Sequence, residues 1–167
     1  MVTYREATID DLRAICVLGQ EINAIHHDAW SDVFAPSSDP SRDESLWAEM
    51  IGQPNATSFV AESDEEVVGF VNVLFVERDK NPLFQPISFA RVGSIGVAEG
   101  HRGRGIGREL MRQAEAWASA RGARHLSLNV WAFNERAVDL YRELGYDVRS
   151  HSMGKRLVSE ASAPTGS

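Results

Sequence analysis

The chain has 167 residues, of which 43 % are hydrophobic and 25 % charged, and its formal net charge is −7. That length describes one globular unit able to bury its own core, and the acidic balance argues against a nucleic-acid ligand. The lone Cys16 excludes an internal disulfide, no apolar run approaches the ~20 residues of a membrane span, and no cationic, apolar leader opens the chain. A cytoplasmic protein with no membrane partner is therefore expected. Charge is uneven along the sequence: residues 1–100 hold 6 basic and 17 acidic side chains, and residues 101–167 hold 11 and 7. Such a split is either scatter or the mark of two partners, a cation for the acidic part and an anion for the basic part.

Val2–Ala7 alternates loosely and predicts a first strand. Thr8 or Asp10 can cap the helix that follows, where Leu12, Ile15, Leu18 and Ile22 form one apolar stripe. Residues 28–42 are rich in Ser, Asp and Pro and predict a loop long enough for a lid or a binding loop. A second helix is expected over Asp43–Ile51, with Leu46, Trp47 and Met50 inward and Gly52 and Pro54 as its stop. Strands Thr57–Glu62 and Val67–Val76 flank a polar turn. After a loop holding Pro82, Phe89–Val97 reads as a strand whose Gly93 and Gly96 mark a bulge or a close ligand approach. Ile106, Leu110, Ala114, Trp117 and Ala118 form a helical stripe that Gly122 ends. Leu126, Leu128 and Val130 alternate as a strand over 124–131. Asn134 caps a helix with Ala137, Val138, Tyr141 and Leu144 on one face, stopped by Gly145. Tyr146–Val158 supplies one or two closing strands, and Ser159–Ser167 reads as a disordered tail. Residues 1–158 are thus expected to form one α/β (α+β) domain, a mixed sheet flanked by helices on both faces, with 89–130 as a parallel right-handed crossover unit.

The stretch from Val97 to Arg108 concentrates the chemistry. A strand ends, Gly100, Gly103, Gly105 and Gly107 follow with His101, Arg102, Arg104 and Arg108 among them, and a helix opens. A helix start offers unpaired N–H groups and partial positive charge, glycines admit close approach, and the arginines add full charges. This is an anion cradle suited to a phosphate or pyrophosphate. It lacks the Gly-Lys-Ser/Thr of a nucleoside-triphosphate loop and the Gly-x-Gly-x-x-Gly spacing of a dinucleotide fold.

Arg102-Gly103-Arg104-Gly105-Ile106-Gly107 resembles the [Arg/Gln]-x-x-Gly-x-[Gly/Ala] pyrophosphate loop of the GNAT superfamily of acyl-CoA-dependent N-acetyltransferases. Ser94–Val97 is similar to the strand that precedes that loop, Asn134–Tyr146 to its later Asn-x-x-Ala-x-x-x-Tyr-x-x-x-Gly-[Phe/Tyr] block, and Met153–Leu157 to its closing strand. The resemblance covers about 89–158. It implies a GNAT-like sheet that splays open between the strand at 89–97 and the strand at 124–131, with acetyl-CoA in the notch. Backbone groups of Ile95, Gly96 and Val97 would line it. The segment Arg102, Gly103, Arg104, Gly105, Ile106, Gly107 and Arg108 would hold the pyrophosphate. Asn134 would contact CoA, the N–H of Val97 would polarise the thioester, and Tyr141 would protonate the departing thiolate. Asn134 also reads as a plain helix cap, and Tyr141 as a core aromatic. The resemblance further implies transfer to a primary amine, with a homodimer allowed.

The base that deprotonates the amine has no motif. A carboxylate or His must serve, directly or through water, and the candidates are Glu62 and Glu77 at strand ends and His26 and His27 at a helix end. His26, His27, Asp28 and Trp30, together with Asp32, are candidates to line an acceptor pocket, Trp30 by cation–π contact. With its acidic half facing the acceptor, a cationic small-molecule amine is expected, with protein N-termini or lysines, or a non-catalytic acyl-CoA sensor, as alternatives. Cys16 reads as a buried apolar residue, so direct transfer without an acyl-enzyme is expected, and no metal-ligand spacing appears.

Overall fold

A computed structural model describes residues 1–155 and 157 of the chain. Its sheet has five strands in the order β1 (Val2–Glu6), β2 (Ala56–Ser63), β3 (Glu66–Arg78), β4 (Ile87–Val97), β5 (Leu126–Ser127). The first four are antiparallel neighbours, and β5 runs parallel to β4. The mixed sheet expected from the element order is therefore present.

Alternation along β2 and β3 sends side chains to two cores. On one face Val60 and Phe70 meet Ile15 and Leu18 of α1 (Leu12–Ala29), with Trp47 of α2 (Glu44–Ala48) packed alongside. On the other face Phe59, Ala61, Val71 and Val73 meet Ile106, Leu110, Met111, Ala114 and Trp117 of α3 (Ile106–Ala120) and Tyr141 of α4 (Glu135–Glu143). Helices thus cover both faces. Gly122 and Gly145 end α3 and α4 with φ of +79° and +89°, left-handed conformations that glycine adopts freely.

Four expectations need correction. The α2 helix covers only Glu44–Ala48 rather than Asp43–Ile51, with a 3-10 turn at Pro40–Asp43 ahead of it, and Leu46 is 59 % exposed while Trp47 and Met50 are half-buried. The strand over 124–131 bonds to β4 only from Arg124 to Ser127, with its ladder confined to Leu126–Ser127 and ending at Arg91. The closing strands over Tyr146–Val158 are not formed among the described residues, where two paired residues of β5 offer little ladder to add to; Arg156, Val158 and the tail 159–167 lie outside the described residues. The long loop after Trp30 is no free lid: Asn23 Nδ2 donates to Ala35 O (2.7 Å), Ser38 N to Gln20 Oε1 (2.8 Å), and His27 Nδ1 to Phe34 O (2.7 Å), which binds it along α1.

The turn into α1 is fixed by Asp11 rather than Asp10. Asp11 accepts from Thr8 N (2.8 Å) and from both Arg5 Nη1 (2.7 Å) and Nη2 (2.8 Å). The Arg5 guanidinium holds the Asp11 carboxyl below the usual carboxylate range. Asp11→Ala should cost about 2 kcal/mol in chemical denaturation, toward the low end for charged hydrogen bonds because Arg5 is 42 % exposed. A lowered folded-state pKa stabilises above the ordinary carboxylate pKa and loses that effect as pH falls through the folded value. The gap between wild type and variant should therefore close as pH drops below about 4.

Candidate functional site

The site begins with a bulge. Val73 pairs with Val92 and Val71 with Ile95, so two steps along β3 match three along β4. The extra residue lies at Gly93–Ser94, and the Ser94 N–H it strands is taken by the buried Asn72 Oδ1 (2.8 Å). A Cβ on Gly93 would stand 2.5 Å from that same oxygen, so any larger residue there must displace Asn72.

The bulge inverts which residues of β4 face outward. Before it, Ala90 N–H donates to His125 O at the β5 side (2.8 Å); after it, Ala98 N–H donates to Val68 O on β3 (2.9 Å). Polar groups alternate sides along a strand, so those of Gly96 point at β3 and those of Ile95 and Val97 point away from it. Pairing with β5 ends at Arg91, which leaves this stretch of β4 as an open edge within the sheet. The expected splay is present, and it presents the two residues expected to bind like an added strand.

The edge runs into the Gly-rich turn. Gly103 and Gly105 have φ of +78° and +80°, with Gly105 as the residue ahead of α3. Glu109 N donates to Gly105 O (3.1 Å), and the N–H groups of Ile106, Gly107 and Arg108 belong to the first helical turn, which has no preceding carbonyls to meet. Arg102 turns back instead of outward: its Nε donates to Val97 O (2.8 Å), and Nη2 reaches Glu21 (3.4 Å). It fastens the turn to the strand end. Arg104 is exposed, Arg108 pairs with Glu143 of α4, and Arg136, which sequence reading passed over, brings Nη2 to 3.5 Å from where a Gly103 Cβ would be.

The helix α4 closes this side. A Cβ on Gly107 would stand 3.6 Å from Leu140 and 3.8 Å from Val97, so strand, turn and α4 meet at one place. Asn134 accepts from Ala137 N (3.2 Å) and acts as the cap. Tyr141 is 8 % exposed, and burial pushes its hydroxyl pKa up to about 12. It therefore holds its proton throughout the neutral range.

On the opposite face α1 crosses β4, and Ile22 Cδ1 lies 2.6 Å from where a Gly96 Cβ would be. One turn on, His26 stacks on Phe34 (ring centroids 4.8 Å) and meets Phe133 edge-on (5.6 Å). Trp131 contacts Trp30 (5.4 Å), Phe34 (5.0 Å) and Phe133 (6.3 Å). Burial lowers the His26 pKa. Phe34, Trp131 and Phe133 were not singled out in the sequence; the only signal there is the aromatic spacing of Trp131 and Phe133 beside Asn134.

The remaining candidates lie elsewhere. Glu62 is held by Arg5 Nη2 (2.8 Å), two strands from β4. Glu77 is exposed opposite Ser88, nine residues from Val97 along β4, roughly 30 Å away at strand rise. His27 secures the loop, and Asp28 is exposed at the end of α1. Cys16 is buried, and burial raises its thiol pKa. Among the described residues no cluster of three or more His, Cys, Asp or Glu could hold a metal, and no helix is long and apolar enough to cross a membrane.

The chain matches the acetyltransferase (GNAT) family model over residues 22–146. Streptothricin acetyltransferase of Streptomyces lavendulae is 51 % identical over 55 residues, which is 33 % of this chain and 29 % of that protein. L-2,4-diaminobutyric acid acetyltransferase of Shouchella clausii is 30 % identical over 95 residues, 57 % of this chain and 48 % of that protein. The chain covers less than two thirds of the length of these curated relatives. The tetramutant of the BH1408 protein from Bacillus halodurans superposes with a TM-score of 0.87 at 25 % identity, covering 93 % of this chain and 99 % of that one. Aminoglycoside N-acetyltransferase AAC(6')-Iy, solved in complex with CoA, shares the fold with a TM-score of 0.68 at 18 % identity, covering 93 % and 94 %.

Proposed function

Since this chain belongs to the GNAT acetyltransferase family, we propose that it transfers an acetyl group from acetyl-CoA to a primary amine of a small cationic acceptor. The observation that carries this reading is the bulged edge of β4, whose outward backbone groups at Ile95 and Val97 lead into the Gly-rich start of α3. An extended pantetheine chain can add to such an edge as a strand does, and a pyrophosphate suits the N–H groups of a helix start with the exposed Arg104 beside them. Relatives named for streptothricin and L-2,4-diaminobutyric acid support a small-molecule acceptor.

The amine arrives mostly protonated, since a lysine-like pKa is near 10.4. Once His26 or a water it orients removes that proton, the nitrogen attacks the acetyl carbonyl carbon. The Val97 N–H stabilises charge on the carbonyl oxygen. The carbon–sulfur bond then breaks, and Tyr141 O–H donates to the departing thiolate. His26 is favoured as base over Glu62 and Glu77, because it lies one turn past the contact of α1 with Gly96, while Glu62 is spent on Arg5 and Glu77 lies at the far end of the hairpin. The buried thiol of Cys16 supports direct transfer without an acyl-enzyme.

Release of free CoA thiol, measured with a panel of amines, tests the proposal. Amine-dependent release is expected, faster with cationic than with neutral or anionic acceptors. Tight CoA binding without release on any amine would instead favour an acyl-CoA sensor. For the base, kcat/KM should rise with pH through an apparent pKa below the ordinary 6.5 of His, because burial disfavours imidazolium. His26→Gln should remove that limb and lower kcat about 10²-fold; an unchanged acid limb would exclude His26.

A further inference from the structure

Two strips of chain meet in the ring cluster, one running from the end of α1 into the following loop and one leaving β5. Their composition is one-sided. Between Arg13 and Arg42 there is no Lys or Arg, and His125 to Phe133 also holds none, while Asp28 and Asp32 flank Trp30; Glu21 is already paired with Arg102, and Arg42 reaches the loop only at Pro36 O. Trp30 follows directly on the last residue of α1, an 18-residue helix, where the macrodipole places partial negative charge. Trp30 and Trp131 are 46 % and 39 % exposed, with their rings 5.4 Å apart and tilted by 53°, and Phe34 stands at 75° to Trp131. Rings set at steep angles, half open to solvent and at a negative helix end, offer π-faces to a cation. The cluster joins α1, which packs on β4 at Gly96, to the chain just past the end of the β4–β5 pairing.

We infer that this cluster is the acceptor subsite, and that it selects amines bearing a second, unreacting organic cation (an alkylammonium or guanidinium group) held on the faces of Trp30 and Trp131. The inference rests on the acetyltransferase reading for the identity of the ligand, and on the rings alone for its charge. Phe34 and Phe133 both pack on Trp131, and His26 touches both of them. The cation is thereby anchored at the mouth while the reacting amine reaches inward.

Tetramethylammonium, which cannot be acetylated, is the probe, with neopentyl alcohol as a water-soluble neutral analogue of similar shape. Both are titrated into the full-length protein at constant ionic strength and read by tryptophan fluorescence. Trp47 and Trp117 pack in the two cores and give a constant background. Saturable quenching by tetramethylammonium and none by the alcohol is expected. Trp131→Leu and Trp30→Leu should each weaken binding at least tenfold, and Trp131→Phe should recover most of it. CoA affinity measured on the same variants should be unchanged, which shows that they are folded. Equal response to the alcohol, no saturable response, or tetramethylammonium affinity unaltered by Trp131→Leu overturns the inference. Amine-dependent thiol release without tetramethylammonium binding removes the subsite alone; tetramethylammonium binding without thiol release on any amine removes the acetyltransferase reading alone.

Discussion

Tyr141→Phe should lower kcat about 10²- to 10³-fold and leave the KM for acetyl-CoA within about twofold. The substitution keeps the ring, which packs in the α3-side core and meets Tyr146 at 5.9 Å, so the fold is retained and only the O–H is lost. Burial pushes the Tyr141 pKa up to about 12, so the hydroxyl is a donor at every pH at which the enzyme would be assayed. No alkaline limb from Tyr141 should appear below that value. A silent Tyr141→Phe in steady-state kinetics would reduce the residue to a core aromatic, the reading that its helical periodicity also permits.

The second large effect concerns the bulge. Gly93→Val puts a side chain where Asn72 Oδ1 would lie 2.5 Å from its Cβ. Relief requires moving Asn72 and forfeiting its bond to Ser94 N–H, so overpacking and a buried unpaired donor add to about 3 kcal/mol. For a domain of this size Tm should fall by about 9 °C. Asn72→Leu should cost less, about 1–2 kcal/mol, because it empties no space but still strands the Ser94 N–H. In both variants, assayed well below their Tm, kcat should fall about 10²-fold, since misplacing the Val97 N–H by about 1 Å is enough. Normal turnover in a folded Gly93→Val protein would separate the bulge from catalysis.

What could be read in advance was local. The glycine turn that opens α3, the cap at Asn134 and the stripe of α3 each depend on neighbours within a few residues, and each is found as expected; Arg102 and Arg108 instead turn to Val97 O and Glu143. Gly93 also pointed to a bulge. Its partner did not show itself, because Asn72 sits in an apolar run and reveals its role only when β3 and β4 are aligned. A polar residue in such a run still needs a partner once buried, and that requirement is the signal it offered. The ring cluster was less legible still: His26 and Phe133 are over a hundred positions apart and touch only after α1 and β5 take their places on the sheet. A helical period over Asp43–Ile51 puts Leu46 inward, but α2 covers only Glu44–Ala48 and Leu46 is exposed. Glu62 looked available as a base because Arg5, its ion-pair partner, lies on another strand.

Amide hydrogen exchange with and without CoA reports whether the bulged edge of β4 and the start of α3 receive the donor. CoA should slow exchange at Ile95, Val97 and the amides of Gly105 to Arg108, while Gly96, already paired to β3, changes little. Protection confined to other segments, with Ile95 and Val97 exchanging as freely as before, would contradict the account.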